Sequence, residues 1–138
     1  MIVVDTNLIT SIFFRTDERK LALSVLERDR DWRVPPLWRS EFLSACRHGI
    51  RAAGMSKAGC AQAFDQAVAL FGLAEMQPDP NRVLAAVALV PTLSSYDAEF
   101  LAVAQQLECR VVTQDVDFIR SAARIEVGRV VGLAEVAR

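Results

Sequence analysis

An α/β fold, with helices on both faces of a mainly parallel central sheet in a three-layer sandwich, is predicted by three features of this 138-residue sequence. Short β-branched segments alternate with longer stretches of helical periodicity, the order that a parallel sheet with crossover helices produces. The strand-like segments are apolar at consecutive positions, as strands covered on both faces are. No repeat, low-complexity tract or linker interrupts the pattern, so residues 1–138 are expected to form a single domain.

Ile2-Val3-Val4 reads as a buried strand closed by Asp5. Thr6 to Phe14 and Asp17 to Leu26 carry helical periodicity, and Trp32 to Val34 before Pro35-Pro36 reads as a second strand. A helix follows from Leu37 to Ala53, Gly54 suits its C-terminus, and Ser56 caps the next helix, Lys57 to Phe71. Leu73 to Gln77 is a candidate third strand, and the Pro78-Asp79-Pro80 turn leads into a helix from Asn81 to about Val90. Ser94 or Ser95 caps a helix to about Leu107. Arg110 to Thr113 is a further buried strand, Asp115 to Ala123 a loop and short helix, and Arg129 to Leu133 a last strand.

With 52% apolar residues the chain can bury a core without disulfides. Cys46, Cys60 and Cys109 match no zinc spacing and read as small buried hydrophobes of a reducing compartment, which favours the cytoplasm. No apolar run approaches a membrane span, and no export signal is visible. The net charge of -1 argues against a protein that merely coats nucleic acid. Ten of the sixteen Lys and Arg residues fall by position 57, however, so a one-sided basic surface competes with the reading of solvated helix faces.

The chemistry lies in the acids. Asp5 and Asp115 each follow an apolar strand, and in a parallel sheet such strand ends share the carboxyl edge where open α/β folds place ligands. Glu41 is expected in mid-helix, between Leu37 and Ala45 on an inward face, and Asp97 in the first turn of its helix, one turn before Leu101. Carboxylates gathered together repel, and a divalent cation relieves that repulsion. Hard oxygen donors with His48 as the only histidine favour Mg²⁺ or Mn²⁺ over zinc. Such an ion among acids is suited to hydrolysis of a phosphodiester. Singly, the acids also have structural readings: Asp5 or Thr6 as a cap, Ser94-x-x-Asp97 as a capping box, Asp115 as a cap, and Glu41 as half of a buried ion pair. Asp117 reads as a further ligand, a supporting acid or a surface residue.

Four segments together, Val4-Asp5-Thr6-Asn7, Ser40-Glu41, Tyr96-Asp97-Ala98-x-Phe100-Leu101-Ala102-Val103-Ala104 and Val112-Thr113-Gln114-Asp115, resemble PIN-domain nucleases in order and spacing. The likeness is greatest to VapC-type toxins of bacterial toxin-antitoxin pairs, and it spans essentially the whole chain. The resemblance implies a PIN-like fold, a metal held by Asp5, Glu41, Asp97 and Asp115, and Asp117 as an additional acid nearby. It implies supporting roles for Thr6, Asn7 and Thr113. It further implies an RNA substrate, a homodimer and a small antitoxin partner. Gln114-Asp115-Val116-Asp117 departs from the pattern, because basic residues often follow the last acid. Phe13, Phe14, Trp38 and Phe71 are candidates for an interface or for core, and Arg15, Arg39, Arg47, Arg120 and His48 for RNA contact or for solvated surface.

The leading expectation is therefore a Mg²⁺- or Mn²⁺-dependent endoribonuclease. The alternative is a non-catalytic PIN-fold module that binds RNA or a protein partner. A phosphatase using Asp5 as nucleophile lacks the second acid two residues on, where Asn7 stands.

Overall fold

The computed structural model describes residues 1–14 and 16–138; Arg15, weighed above as a phosphate contact, lies outside the described residues. Strands β1 (Ile2–Val4), β2 (Trp32–Arg33), β3 (Val111–Thr113) and β4 (Val130–Gly132) form a four-stranded sheet in the order β2-β1-β3-β4. Every pairing is parallel, with Val3 beside Arg33 on one side and Val111 on the other, and Val112 beside Val131.

Helices supply the crossovers. Between β1 and β2 lie α1 (Thr6–Phe13) and α2 (Arg19–Arg28); between β2 and β3 lie α3 (Trp38–Ala52), α4 (Lys57–Phe71), α5 (Pro80–Leu89) and α6 (Ser95–Leu107). The helix α7 (Val116–Ala123) joins β3 to β4, and α8 (Leu133–Val136) closes the chain. Because successive strand residues face opposite ways, the valine pairs divide between two cores. Val4, Val112 and Val131 pack with Leu8, Ile9, Trp38 and Phe42, whereas Val3, Val111 and Val130 pack with Phe100, Leu101, Val103 and Phe118. This division is why the strands had to be apolar at consecutive positions, and it produces the three-layer α/β/α sandwich. Each fully buried side chain of this kind contributes about 1.5–3 kcal/mol.

The structure corrects several expectations. Leu73 to Gln77 does not form a strand: Gly72–Ala74 is a 3₁₀ turn, and Glu75 makes a single parallel bridge to Val34. Leu73 is fully exposed, so no buried side chain anchors a longer strand there. The Glu75 side chain instead accepts from Trp38 Nε1 at 2.9 Å and pairs with Arg39, which fastens this segment to the start of α3. The second helix begins at Arg19 rather than Asp17, and the terminal turn α8 was not anticipated. Trp38 and Phe71 belong to the core, while Phe13 and Phe14 are half-buried against Phe42 with ring centroids at 5.9 and 5.1 Å. Cys46 and Cys60 are buried and Cys109 partly so, all as free thiols. Among the described residues, no helix is long and apolar enough to cross a membrane.

Candidate functional site

The chain leaves β1 toward β2 on one side, and β3 continues toward β4 on the other, so the junction of β1 and β3 is the topological switch point of the sheet. Asp5 and Asp115 stand just beyond the carboxyl ends of those two neighbouring strands, at the N-cap positions of α1 and α7. Glu41 lies in the first turn of α3 and Asp97 in the first turn of α6. The expectation of a mid-helix Glu41 is thereby corrected: α3 starts at Trp38, within one residue of the expected Leu37, and Glu41 falls in its first turn. Helix amino ends carry partial positive charge and favour acids, so each of these positions is one where a carboxylate is locally tolerated.

The acids share one cavity. Asp5, Glu41, Asp97 and Asp115 line a space of about 270 Å³, together with Thr6, Asn7, Thr10 and Ala45. Three of them have one oxygen fixed by the protein. Asp5 Oδ2 accepts from Thr113 Oγ1 at 2.6 Å and from Asn7 Nδ2 at 3.1 Å. Glu41 Oε1 accepts from Thr6 Oγ1 at 2.8 Å, and Asp115 Oδ1 accepts from the amides of Asp117 and Phe118 at 2.9 and 3.1 Å. In each case the second oxygen receives no hydrogen bond from a described side chain. Thr113, fully buried, also accepts from Asn7 Nδ2 at 3.2 Å and from the Asp115 amide at 3.0 Å, so one hydroxyl sets both strand-end acids. Ser94 Oγ accepts from the Asp97 amide at 3.0 Å, the expected cap.

Confinement raises the proton affinity of Asp5, Glu41 and Asp97. Burial pushes the Glu41 carboxyl up to about 7, the Thr6 hydroxyl opposes this, and repulsion from Asp5, Asp97 and Glu99 adds to it. Burial likewise moves Asp97 up to about 6, reinforced by Asp5 and Asp115 and opposed by Ser94. Asp5 is raised by burial against the pull of Thr113 and the Thr6 amide, with Asp115 repelling it further. Asp5, Asp97 and Asp115, from three separate segments, each raise the proton affinity of at least one other acid of the cavity.

Among the described residues, no three His, Cys, Asp or Glu side chains already stand in an arrangement that holds a metal ion. The acids share a cavity, and clasping a cation requires their free oxygens to draw inward. Asp117 does not join them: its side chain is almost fully exposed and lies 3.7 Å from Arg120. Two contributors escaped the sequence reading. Glu99, half-buried on α6, adds negative charge beside Glu41, and Gln114 Nε2 donates to Ser11 Oγ at 2.8 Å, tying the end of β3 to α1. Glu99 sits between apolar residues where periodicity reads as solvent-facing, and no local signal marks it. A larger cleft of about 710 Å³ opens at the opposite, amino edge of the sheet, where Glu108, Glu126 and Glu135 mix with Arg110 and Arg129. The smaller cavity is distinguished by single-signed charge.

Comparison with known proteins follows the same lines. The profile of the family described as PIN domain matches residues 2–124. The fold is similar to the crystal structure of PAE2754 from Pyrobaculum aerophilum, with a TM-score of 0.71 and 16% identity, covering 99% of this chain and 92% of that one. No curated protein sequence matches the chain.

Proposed function

The chain belongs to the PIN-domain family, whose members are generally nucleases that use divalent metal ions, and from that premise we propose that it is a Mg²⁺- or Mn²⁺-dependent endoribonuclease. The observation that carries the reading is the convergence of Asp5, Glu41, Asp97 and Asp115 on one cavity, from segments as far apart as β1 and the end of β3. Their hard oxygens, with no histidine or cysteine among the lining residues, fit a small divalent ion. These four acids would hold it, and when bound it supplies Lewis-acid activation of water and neutralisation of charge at the scissile phosphate.

The protein side of the chemistry is positional. Thr113 and Asn7 hold one oxygen of Asp5, and Thr6 holds one oxygen of Glu41. Asp115 is held by the amides that begin α7. No side chain is asked to act as a nucleophile. Asp117, turned toward Arg120, is assigned no ligand role.

Within the family, the Asp-Thr-Asn and Tyr-Asp-Ala-x-Phe-Leu-Ala segments support a VapC-type toxin that pairs with an antitoxin and forms a homodimer. The test is cleavage of labelled RNA in Mg²⁺ or Mn²⁺, with and without chelator, by the wild type, Asp5→Asn and Asp97→Asn. The wild type is expected to cut only with metal, and each variant to fold but lose cleavage by at least about a hundredfold, the scale of removing a charge-stabilising group. Cleavage that survives both substitutions would overturn the assignment. Growth arrest on expression, relieved by the product of the neighbouring gene, is the expected sign of the toxin role.

A further inference from the structure

We infer that the exposed face of α3 beyond Glu41 is the track along which a single RNA strand runs into the acidic cavity, an inference that rests on the nuclease reading above. The cavity is bounded by α1 through Thr6, Asn7 and Thr10, and by α3 through Glu41 and Ala45. Positions three or four apart lie on one side of a helix, so the wall formed by Glu41 and Ala45 continues to His48, which is exposed. His48 lies about 10 Å and Arg51 about 15 Å from Glu41 along the axis, at roughly 1.5 Å per residue. The trough thus opens onto the remainder of α3.

That face is cationic and hydroxylic. Ser40, Ser44, Arg47, His48 and Arg51 are all exposed, fall within one arc of the helix, and have no carboxylate among them; Glu41 is the only acid in α3. Five arginines of the described chain pair with acids: Arg33 with Asp31, Arg39 with Glu75, Arg82 with Asp79, Arg120 with Asp117 and Arg129 with Glu126. Among the described residues, Arg47 and Arg51 have no such partner and make no side-chain hydrogen bond. Attraction to the helix carboxyl end accounts for Arg51, in the last turn, but Arg47 lies a turn earlier. The apolar residues Leu43 and Ile50 lie on the adjoining face, around a groove with Cys46, Phe64 and Asp65 whose rim Arg47 shares. A polyanion is the complement of the polar arc, and the continuity of that arc with the cavity favours the strand being cut over an acidic protein segment.

The test compares the full-length wild type with Arg47→Gln/Arg51→Gln and with Arg30→Gln/Arg124→Gln. The second double variant removes the same charge from exposed, unpaired arginines elsewhere. Steady-state cleavage of a labelled single-stranded RNA is followed in Mg²⁺ across roughly 50–200 mM salt. The α3 variant is expected to raise KM about tenfold with kcat within about twofold, as for two exposed charge contacts. Its dependence of log KM on log salt should flatten by about 1.4, from roughly 0.7 per single-strand phosphate contact. The control variant should match the wild type. A KM within twofold of wild type for the α3 variant, or an equal rise in the control, refutes the track while leaving the nuclease reading intact. Loss of binding to a polyglutamate peptide without a change in KM for RNA would give this face to an acidic protein and refute it too. A wild type that cleaves no RNA in Mg²⁺ or Mn²⁺ removes the nuclease reading itself, and the track with it.

Discussion

Replacing Glu41 by Gln should make the metal-free protein more stable at neutral pH while abolishing its activity. The substitution keeps the shape, and the amide oxygen of Gln can still accept from Thr6, which now donates to Glu41 Oε1 at 2.8 Å. What it removes is a charge held at a cost. The Glu41 carboxyl is raised from 4.5 to about 7 on folding, so its contribution to stability is complete below pH 4.5 and is lost as pH climbs toward 7. By proton linkage the loss at pH 7.5 approaches about 3 kcal/mol; the side chain is partly open to solvent, and screening reduces this to about 1.5 kcal/mol. For a chain of this size that corresponds to a rise of about 5 °C in Tm for the variant. At pH 5 the wild-type carboxyl is largely protonated in the fold, and the gap should shrink to a few tenths of a kcal/mol. On the proposed function, saturating Mg²⁺ at pH 7.5 should stabilise the wild type more than the variant, because an ion that binds the folded acids favours the folded state. Thermal or urea unfolding at pH 5 and 7.5 reads all of this. An equal stability gap at both pH values would mean that packing, not charge, separates the two proteins, and the electrostatic account of the cavity would fail.

The remaining predictions concern the supports around the acids. Thr113→Val keeps the volume but removes the buried donor to Asp5 and the acceptor of the part-buried Asp115 amide, so a loss of about 1–2 kcal/mol is expected in urea unfolding. Cleavage by this variant should fall by roughly 10–100-fold, the usual effect of losing a group that orients a ligand. Asp117→Asn should leave kcat/KM within about twofold, because its side chain faces Arg120 and solvent; a hundredfold loss would restore it to the ligand set.

How far the fold could be read depended on whether the signal was local. Val3-Val4 and Val111-Val112 were legible as strands because burial on both faces forbids alternation, and Asp5 and Asp115 followed from their place after those strands. The caps at Ser56 and Ser94 were legible because their hydroxyls serve amides three residues on. The helix carrying Glu41 was legible to within one residue at each end, and its start places Glu41 in the first turn rather than in mid-helix. Of the readings open for Asp117, the structure places it at the surface: Asp115 claims the amides that open α7, and Asp117 faces solvent and Arg120. The links from Gln114 to Ser11 and from Glu75 to Trp38 and Arg39 join residues far apart in sequence, and only tertiary approach creates them.

The deeper regularity is that all four cavity acids sit at helix amino ends: Asp5 before α1, Glu41 and Asp97 in the first turns of α3 and α6, and Asp115 before α7. Each such end presents the equivalent of about half a positive charge, enough to let acids gather where a sheet edge alone would not. The compensation is incomplete, since Asp5, Glu41 and Asp97 all remain harder to ionise than free carboxyls. Threonine, asparagine and amide donors then fix one oxygen of three of these acids, which limits their freedom to turn away from one another. A fold selected for stability alone would replace such acids with neutral residues of the same shape. The repulsion that the helix ends leave unoffset is what the divalent cation of the proposed function would relieve.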